Sequence, residues 1–284
     1  MASGGGSVAI GTGPRVRRVG FGALHLTGPD LWGPPADHDG AVRVVRRAVE
    51  LGVTFIDTAD SYGLGASEEL LARALHPYPD GLVIATKAGK TRPSAGEWLP
   101  LGRPEYLRQQ AELSLRRLKV ERIDLFQLHC VDPQVPAAEQ FGALKTLQEE
   151  GKVRDVGLSE VTVEQLEEAR RCIDVVSVQN RYNLADRRHE AMVDHCEREG
   201  IAFIPWEPLD LGRLTAPDGA VAATAKALGA TPAQVAIAWL LRRSPVMLPI
   251  PGTRSLRHLA ENVASGDLCL SDADFATLSG PVGP

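Results

Sequence analysis

The chain is poor in the features that would tie it to a membrane, a metal or an oxidising compartment. None of its 284 residues falls in an apolar run approaching the roughly 18 residues a membrane span needs. There are four cysteines, Cys130, Cys172, Cys196 and Cys269, scattered and without a CxxC. That spacing excludes a disulfide framework and fits free thiols in a reducing, cytoplasmic setting. Positive charge is not in excess, since the formal net charge is −5. A nucleic-acid or anionic-membrane partner therefore has no electrostatic support. The basic run Arg43–Arg47 (RVVRR) carries valines between its charges and reads as the solvated face of an amphipathic helix.

Two motifs are incomplete. His189 and His195 in HEAMVDH are six residues apart, whereas a zinc-binding HExxH needs its histidines four apart on one helix face, so no metal is expected. Met192 between them is assigned to the core. Gly20-Phe21-Gly22 begins a dinucleotide fingerprint, but His25 stands where the third glycine belongs. That weakens the runner-up fold, a doubly wound sheet. The start, MASGGGS, lacks the basic end and apolar stretch of a signal peptide. Residues 1–7 are read as a flexible lead-in and 8–284 as one domain.

What is present is an alternation of short strand-like runs with longer helical patterns, the signature of parallel strands joined by crossover helices. Strands are expected at Arg18–Leu24, Val53–Asp57, Gly81–Lys87, Arg122–His129, Val153–Ser159, Val175–Gln179, Ile201–Trp206 and Val246–Ile250. Helices are expected at His38–Leu51, Ser67–Leu75, Pro104–Leu118, Ala137–Glu150, Thr162–Cys172, Asp186–Glu199, Val221–Leu228, Pro232–Arg243 and Ser255–Ala264. Thr162 with Gln165 forms a capping box, and Gly52 is a helix stop. An added C-terminal helix spans Ser271–Leu278 with Ser271 as N-cap. Val8–Arg17, with Gly-Thr-Gly-Pro at its centre, reads as a hairpin ahead of the strands. The fold class is thus α/β, a single (β/α)8 barrel with an N-terminal β-hairpin and an extra C-terminal helix.

Strands buried on both faces should be apolar throughout. The exceptions are Asp57, Lys87, His129, Ser159, Gln179 with Asn180, and Trp206 with Glu207, each at the C-terminal end of its expected strand. In a (β/α)8 barrel that end carries the active site. Singly, Asp57–Lys87 reads as well as a structural ion pair, His129 as a core histidine and Tyr62 as a rim aromatic. Together at one mouth they read as chemistry. A tyrosine has a pKa of about 10 and is a poor acid at neutral pH. A neighbouring lysine cation lowers that value, an aspartate holds the lysine charged, and a histidine hydrogen-bonds a substrate carbonyl oxygen.

These residues lie in segments that resemble one family. Gly52–Gly63 (GVTFIDTADSYG) is similar to the N-terminal signature of the aldo-keto reductases. Ile84–Gly89 (IATKAG) and Asp124–His129 (DLFQLH) resemble the segments carrying that family's catalytic lysine and histidine. Gly151–Glu160, Val178–Asn183, Pro205–Gly212 and Pro249–Asn262 resemble its later blocks, in order, from about Val19 to Asn262. The resemblance implies NADPH-dependent reduction of aldehydes or ketones to alcohols, with a tetrad of Asp57, Tyr62, Lys87 and His129 and with Tyr62 as general acid. It also implies NADPH or NADP+ extended over the barrel mouth, with Gly22 and Asp57 beside it. Ser159 and Gln179 would hold the nicotinamide carboxamide, Trp206 would stack on the ring, and Leu209 would lie near the pyrophosphate. Gly252, Thr253 and Arg254 would hold the 2′-phosphate, with His258 in a further phosphate-contact position. Glu261 and Asn262 would bind the adenine. Two departures are Glu160, where many members have asparagine, and His258, where many have arginine or glutamine.

Trp32–Pro35 (WGPP) and His76–Pro79 (HPYP) resemble a bacterial subgroup linked to pyridoxal reduction. Substrate choice in a barrel lies in its C-terminal loops. The short loop Cys130–Pro136, the absence of a long C-terminal tail, and Trp32 and Trp98 as flat walls favour compact aldehydes over bulky steroid ketones. The alternative function is a module that binds NADPH and senses redox state with little turnover. The partner expected is a small carbonyl compound, with the chain itself a monomer or weak oligomer.

Overall fold

The computed structural model describes residues 5–216 and 220–280. The first four residues of the expected lead-in lie outside them. The strands in chain order are β1 (Ser7–Val8), β2 (Val16–Arg17), β3 (Phe21–Gly22), β4 (Phe55–Asp57), β5 (Val83–Ala88), β6 (Lys90–Thr91), β7 (Leu99–Pro100), β8 (Ile123–Leu128), β9 (Val153–Ser159), β10 (Val175–Gln179) and β11 (Ala202–Phe203). The helices are α1 (His38–Glu50), α2 (Ala66–Leu75), α3 (Pro104–Leu118), α4 (Ala137–Glu149), α5 (Val163–Arg170), α6 (Glu190–Glu199), α7 (Ala220–Leu228), α8 (Pro232–Arg243), α9 (Leu256–Ala264) and α10 (Asp272–Leu278). Seven parallel strands pair in the order β11-β10-β9-β8-β5-β4-β3.

The eighth stave, expected at Val246–Ile250, is no regular strand, yet it closes the barrel. Leu248 N donates to Phe203 O at 2.8 Å and Phe203 N to Val246 O at 2.9 Å. On the other side Gly20 N donates to Pro249 O at 2.9 Å and Gly22 N to Pro251 O at 3.4 Å. Pro249 and Pro251 have no N–H to return, so this edge only accepts and no full ladder forms. The approach is close. A Cβ on Gly22 would lie 2.6 Å from Ile250 O, and one on Gly252 2.7 Å from Gly22 O. Glycine at both positions is what lets the barrel shut.

Local chemistry sets the other boundaries. The capping box of Thr162 with Gln165 is present, and Thr231 with Gln234 forms a second ahead of Pro232. Ser271 caps α10 through Asp274 N. The first strand is shorter than the expected Arg18–Leu24, because the chain turns at Leu24–Leu26. The seventh is likewise cut to two residues. Helix α6 begins at Glu190 rather than Asp186, because Asn183 Oδ1 accepts from Ala185 N and Asp186 N, both at 2.9 Å, and holds a turn there. The hairpin of β1 and β2 starts one residue early, with Ser7 opposite Arg17.

Val8, Ile10 and Val16 of the hairpin pack with Phe55, Val83, Leu125 and Leu248 inside the barrel. One end is thereby plugged with apolar side chains, and the opposite, C-terminal end is left for polar ones. Larger apolar clusters join the outer strand faces to the helices, and Met192 sits in one of them as expected. His195 meets Glu167 at 3.0 Å and His189 meets Asn180 at 3.2 Å. No helix among the described residues is long and apolar enough to cross a membrane.

Candidate active site

Asp57 closes β4 and Lys87 sits one residue from the end of β5, its neighbour in the sheet. Both are almost wholly buried. The Lys87 ammonium donates to Asp57 Oδ2 at 2.6 Å, to Thr58 O at 2.8 Å and to the Tyr62 hydroxyl at 3.2 Å. Its three donors therefore have three acceptors, which a buried cation requires. Asp57 Oδ1 is filled from across the mouth by Gln179 Nε2 at 2.8 Å and Gln127 Nε2 at 3.3 Å. Tyr62 lies in a loop pinned to β5: Thr58 N donates to Ala85 O and Asp60 N to Lys87 O. His129 follows β8, with Ser61 Oγ 3.4 Å from its Nδ1. The rings of Tyr62 and His129 stand edge to face at 5.9 Å, each 6.3 Å from Trp98. The expected tetrad is brought together.

The electrostatics assign protons. Burial alone would lower the Lys87 pKa, but Asp57 and Tyr62 reverse this and hold it above its usual value, so the group is an ammonium. Burial lifts the Tyr62 phenol above its usual 10. Lys87 pulls it down as the sequence suggested, but desolvation and the Asp57 charge outweigh that pull. Tyr62 is thus a neutral donor rather than a phenolate. Burial, then the Lys90 and Lys87 charges, hold His129 well below 6.5. Its imidazole is neutral and carries one N–H, in a ring that stands against the Tyr62 ring.

One cavity of about 850 Å³ is lined by Tyr62, Trp98 and His129, by Ser159, Gln179 and Trp206, and by Glu261 and Asn262. Gly22, Leu209, Gly252, Thr253 and His258 also line it. Of the catalytic and cofactor residues singled out from sequence, Lys87 and Arg254 do not line it; Lys87 is buried behind Asp57 and Tyr62. The Arg254 guanidinium donates to the carbonyls of His25 and Thr27. Asn180 is buried and tied instead to the backbone of Val161, donating to its oxygen at 2.8 Å and accepting from its nitrogen at 3.2 Å.

Sequence reading missed Arg257 and Arg92, and it named Glu160 only as a departure, without its partner. Arg257 lines the cavity and pairs with Glu261 at 2.7 Å. It follows the expected phosphate segment by one helical turn, a spacing that could have flagged it. Glu160 Oε1 accepts the Trp206 indole N–H at 2.6 Å. Arg92 lies 3.9 Å from the Trp98 ring and 5.3 Å from the Trp32 ring, and donates to the carbonyls of Asp30, Leu31 and Ala95. It ties two mouth loops together through a cation stacked on indoles. Nothing in its local sequence announces that role.

A barrel whose mouth wires a buried ion pair to a neutral tyrosine defines a class, the oxidoreductases that pass a proton at an oxygen while a partner moves hydride. Residues 18–280 match the model of the Aldo/keto reductase family, and the chain belongs to that family. It is 48% identical over 277 residues to an uncharacterized oxidoreductase of Schizosaccharomyces pombe, covering 98% of this chain and 90% of that one. It is 42% identical over 271 residues to a pyridoxine 4-dehydrogenase of Escherichia coli, covering 93% and 94%. Among solved structures it resembles an aldo-keto reductase of Klebsiella pneumoniae in complex with NADPH, with a TM-score of 0.82, 27% identity, and 96% and 93% of the two chains covered.

Proposed function

We propose that this enzyme reduces aldehydes and ketones to alcohols with NADPH, and that Tyr62 gives the proton. The observation that carries the reading is the Tyr62 hydroxyl held 3.2 Å from the Lys87 ammonium, with Tyr62 lining the cavity. The residues fit a dinucleotide: Ser159 and Trp206 line the cavity near the tetrad, and Thr253, Arg257 and Asn262 line it further on. When bound, NADPH supplies the hydride. The protein supplies the rest. In this reading Ser159 and Gln179 meet the carboxamide and Trp206 faces the ring. His129 donates its N–H to the substrate oxygen, and Tyr62 protonates that oxygen as negative charge develops. Lys87 remains charged beside Tyr62 and stabilises the phenolate left behind, while Asp57 holds Lys87 in place. Pyridoxal is the first natural candidate, on the strength of the WGPP and HPYP segments and the relative named as a pyridoxine 4-dehydrogenase.

Following NADPH absorbance with 4-nitrobenzaldehyde and pyridoxal tests this. Steady oxidation of NADPH with either, reduced about 10²–10⁴-fold in Tyr62→Phe, is expected. Tight NADPH binding with no turnover on any aldehyde would favour the redox-sensing alternative.

A further inference from the structure

Among the described residues, the charged side chains lining the cavity have partners, with one exception. Asp57 is paired with Lys87, Glu207 with Arg181 at 2.9 Å, and Glu261 with Arg257 at 2.7 Å. Glu160 is occupied by the Trp206 indole and the Arg181 backbone N–H. Lys90 also lines the cavity, and it makes no ion pair among the described residues. Its backbone is fixed, because β6 pairs with β7 and the Tyr106 hydroxyl donates to Lys90 O at 3.1 Å. The ammonium is close enough to His129 to disfavour a second cation there. It shares the cavity wall with Trp98, whose ring stands 6.3 Å from both Tyr62 and His129. Asp132, near the same loop, accepts from Gly102 N and Gln134 N, each at 2.9 Å, and forms no ion pair with Lys90 among the described residues.

We propose that Lys90 forms an anion subsite beside the proton-donating tyrosine, so that the favoured substrates are carbonyl compounds bearing a carboxylate or phosphate group. The inference rests on the reductase reading for its chemistry but not for its binding site. With the carbonyl oxygen between Tyr62 and His129, a flat spacer lies along Trp98 and the anionic end meets the lysine. An ammonium facing a cavity walled in part by apolar side chains gains more from an anion than it does in bulk solvent.

The test compares 4-carboxybenzaldehyde, 4-formylphenyl phosphate and methyl 4-formylbenzoate as substrates, in the unmodified chain and in Lys90→Met and Lys90→Arg. The expected result is a kcat/KM preference of about fivefold or more for at least one anionic aldehyde over the neutral ester, shrinking as salt is raised. The two anionic arms separate a carboxylate from a phosphate subsite. The preference should fall to near unity in Lys90→Met and return in Lys90→Arg. A second measurement needs no turnover: calorimetric titration of 4-hydroxymethylbenzoate into the NADPH complex, expected to bind more weakly in Lys90→Met. If the three aldehydes are reduced equally and Lys90→Met changes no ratio, the subsite is wrong and the reductase reading stands. If none is reduced but 4-hydroxymethylbenzoate binds in a Lys90-dependent way, the reductase reading fails and the subsite stands. If its binding is unchanged by Lys90→Met, the subsite is overturned whatever the kinetics.

Discussion

The Glu160 carboxylate holds the Trp206 indole N–H at 2.6 Å, and the same oxygen takes the Arg181 backbone N–H at 3.0 Å. Glu160 does this from a left-handed backbone, with φ of 54°, immediately after β9. For a residue with a Cβ that conformation costs about 1 kcal/mol or more. The contact with Trp206 is therefore kept against a local cost, and it fixes the plane of a ring that lines the cavity. Glu160→Asn should relax the backbone, since asparagine tolerates this region, but its shorter arm cannot reach the indole. Thermal stability should be equal or higher. The NADPH dissociation constant should rise by about tenfold, the scale of one lost charge-assisted hydrogen bond. Fluorescence titration decides it, and an unchanged constant would mean that Trp206 does not need its anchor.

The residues at the barrel mouth were legible because parallel strands want apolar residues, so Asp57, Lys87, His129 and Gln179 stood out where each strand ended. The helices were legible from period and caps. The eighth stave was placed correctly but not its irregularity, although Pro249 and Pro251 were in view and cannot donate to a ladder. Less could be read of interactions that depend on loops meeting in space. Arg92 reaches Trp98 across a hairpin and Trp32 across the mouth, and nothing in either stretch specifies the other. The direction of the Tyr62 shift was misjudged for a related reason. A sequence displays the lysine that lowers the value, but not the degree of burial that raises it.

Asp60 carries a stability prediction. It is buried and its Oδ1 has no hydrogen-bond partner among the described residues. Burial and the neighbouring Glu68 raise its pKa well above 3.8. Glu68 itself is satisfied by Thr86 at 2.6 Å and Arg117 at 2.7 Å, so it is Asp60 that bears the misfit. Between 3.8 and the raised value the folded chain binds a proton at Asp60 that the unfolded chain has released. Its contribution to stability is thus fully present below 3.8 and is lost as pH rises through the folded value. Asp60→Asn should leave Tm unchanged near pH 4 and raise it by about 3 °C or more at pH 8. Parallel curves for the two proteins from pH 4 to 8 would show that Asp60 does not titrate out of step.

Reduction should show an unusually flat pH profile. His129 is held well below 6.5 and stays neutral across the neutral range, and Tyr62 keeps its proton past its usual value of about 10. Neither group needed for proton donation changes state between about pH 6.5 and about pH 9.5. The expected kcat/KM at saturating NADPH is level over that span and falls only above it, as the Tyr62 proton is lost. A limb centred near pH 6.5 would mean that His129 titrates like an exposed imidazole.

Preference for a 2′-phosphate should follow Arg257 more than Arg254. The sequence placed the phosphate on Pro251-Gly252-Thr253-Arg254, but the Arg254 guanidinium bridges to the carbonyls of His25 and Thr27 and is not among the cavity-lining residues. That contact ties the loop after β3 to the segment closing the barrel. Arg257 lines the cavity and keeps about three quarters of its side chain exposed, 73%. Its one ionic partner among the described residues is Glu261, four residues along α9, and a surface pair of that spacing is worth only about 0.5 kcal/mol or less. A phosphate would readily compete for it, because a guanidinium forks onto two phosphate oxygens at once. Arg257→Ala should therefore weaken NADPH binding by about tenfold and leave NADH binding within about twofold, narrowing the gap between them. Arg254→Ala should instead lower Tm and weaken both cofactors alike, since it loosens the mouth without removing a phosphate ligand. Titrating both cofactors into both variants distinguishes the two. Selective loss of NADPH in Arg254→Ala, with Arg257→Ala silent, would return the phosphate to Arg254 and require its guanidinium to leave His25 and Thr27 when the cofactor binds.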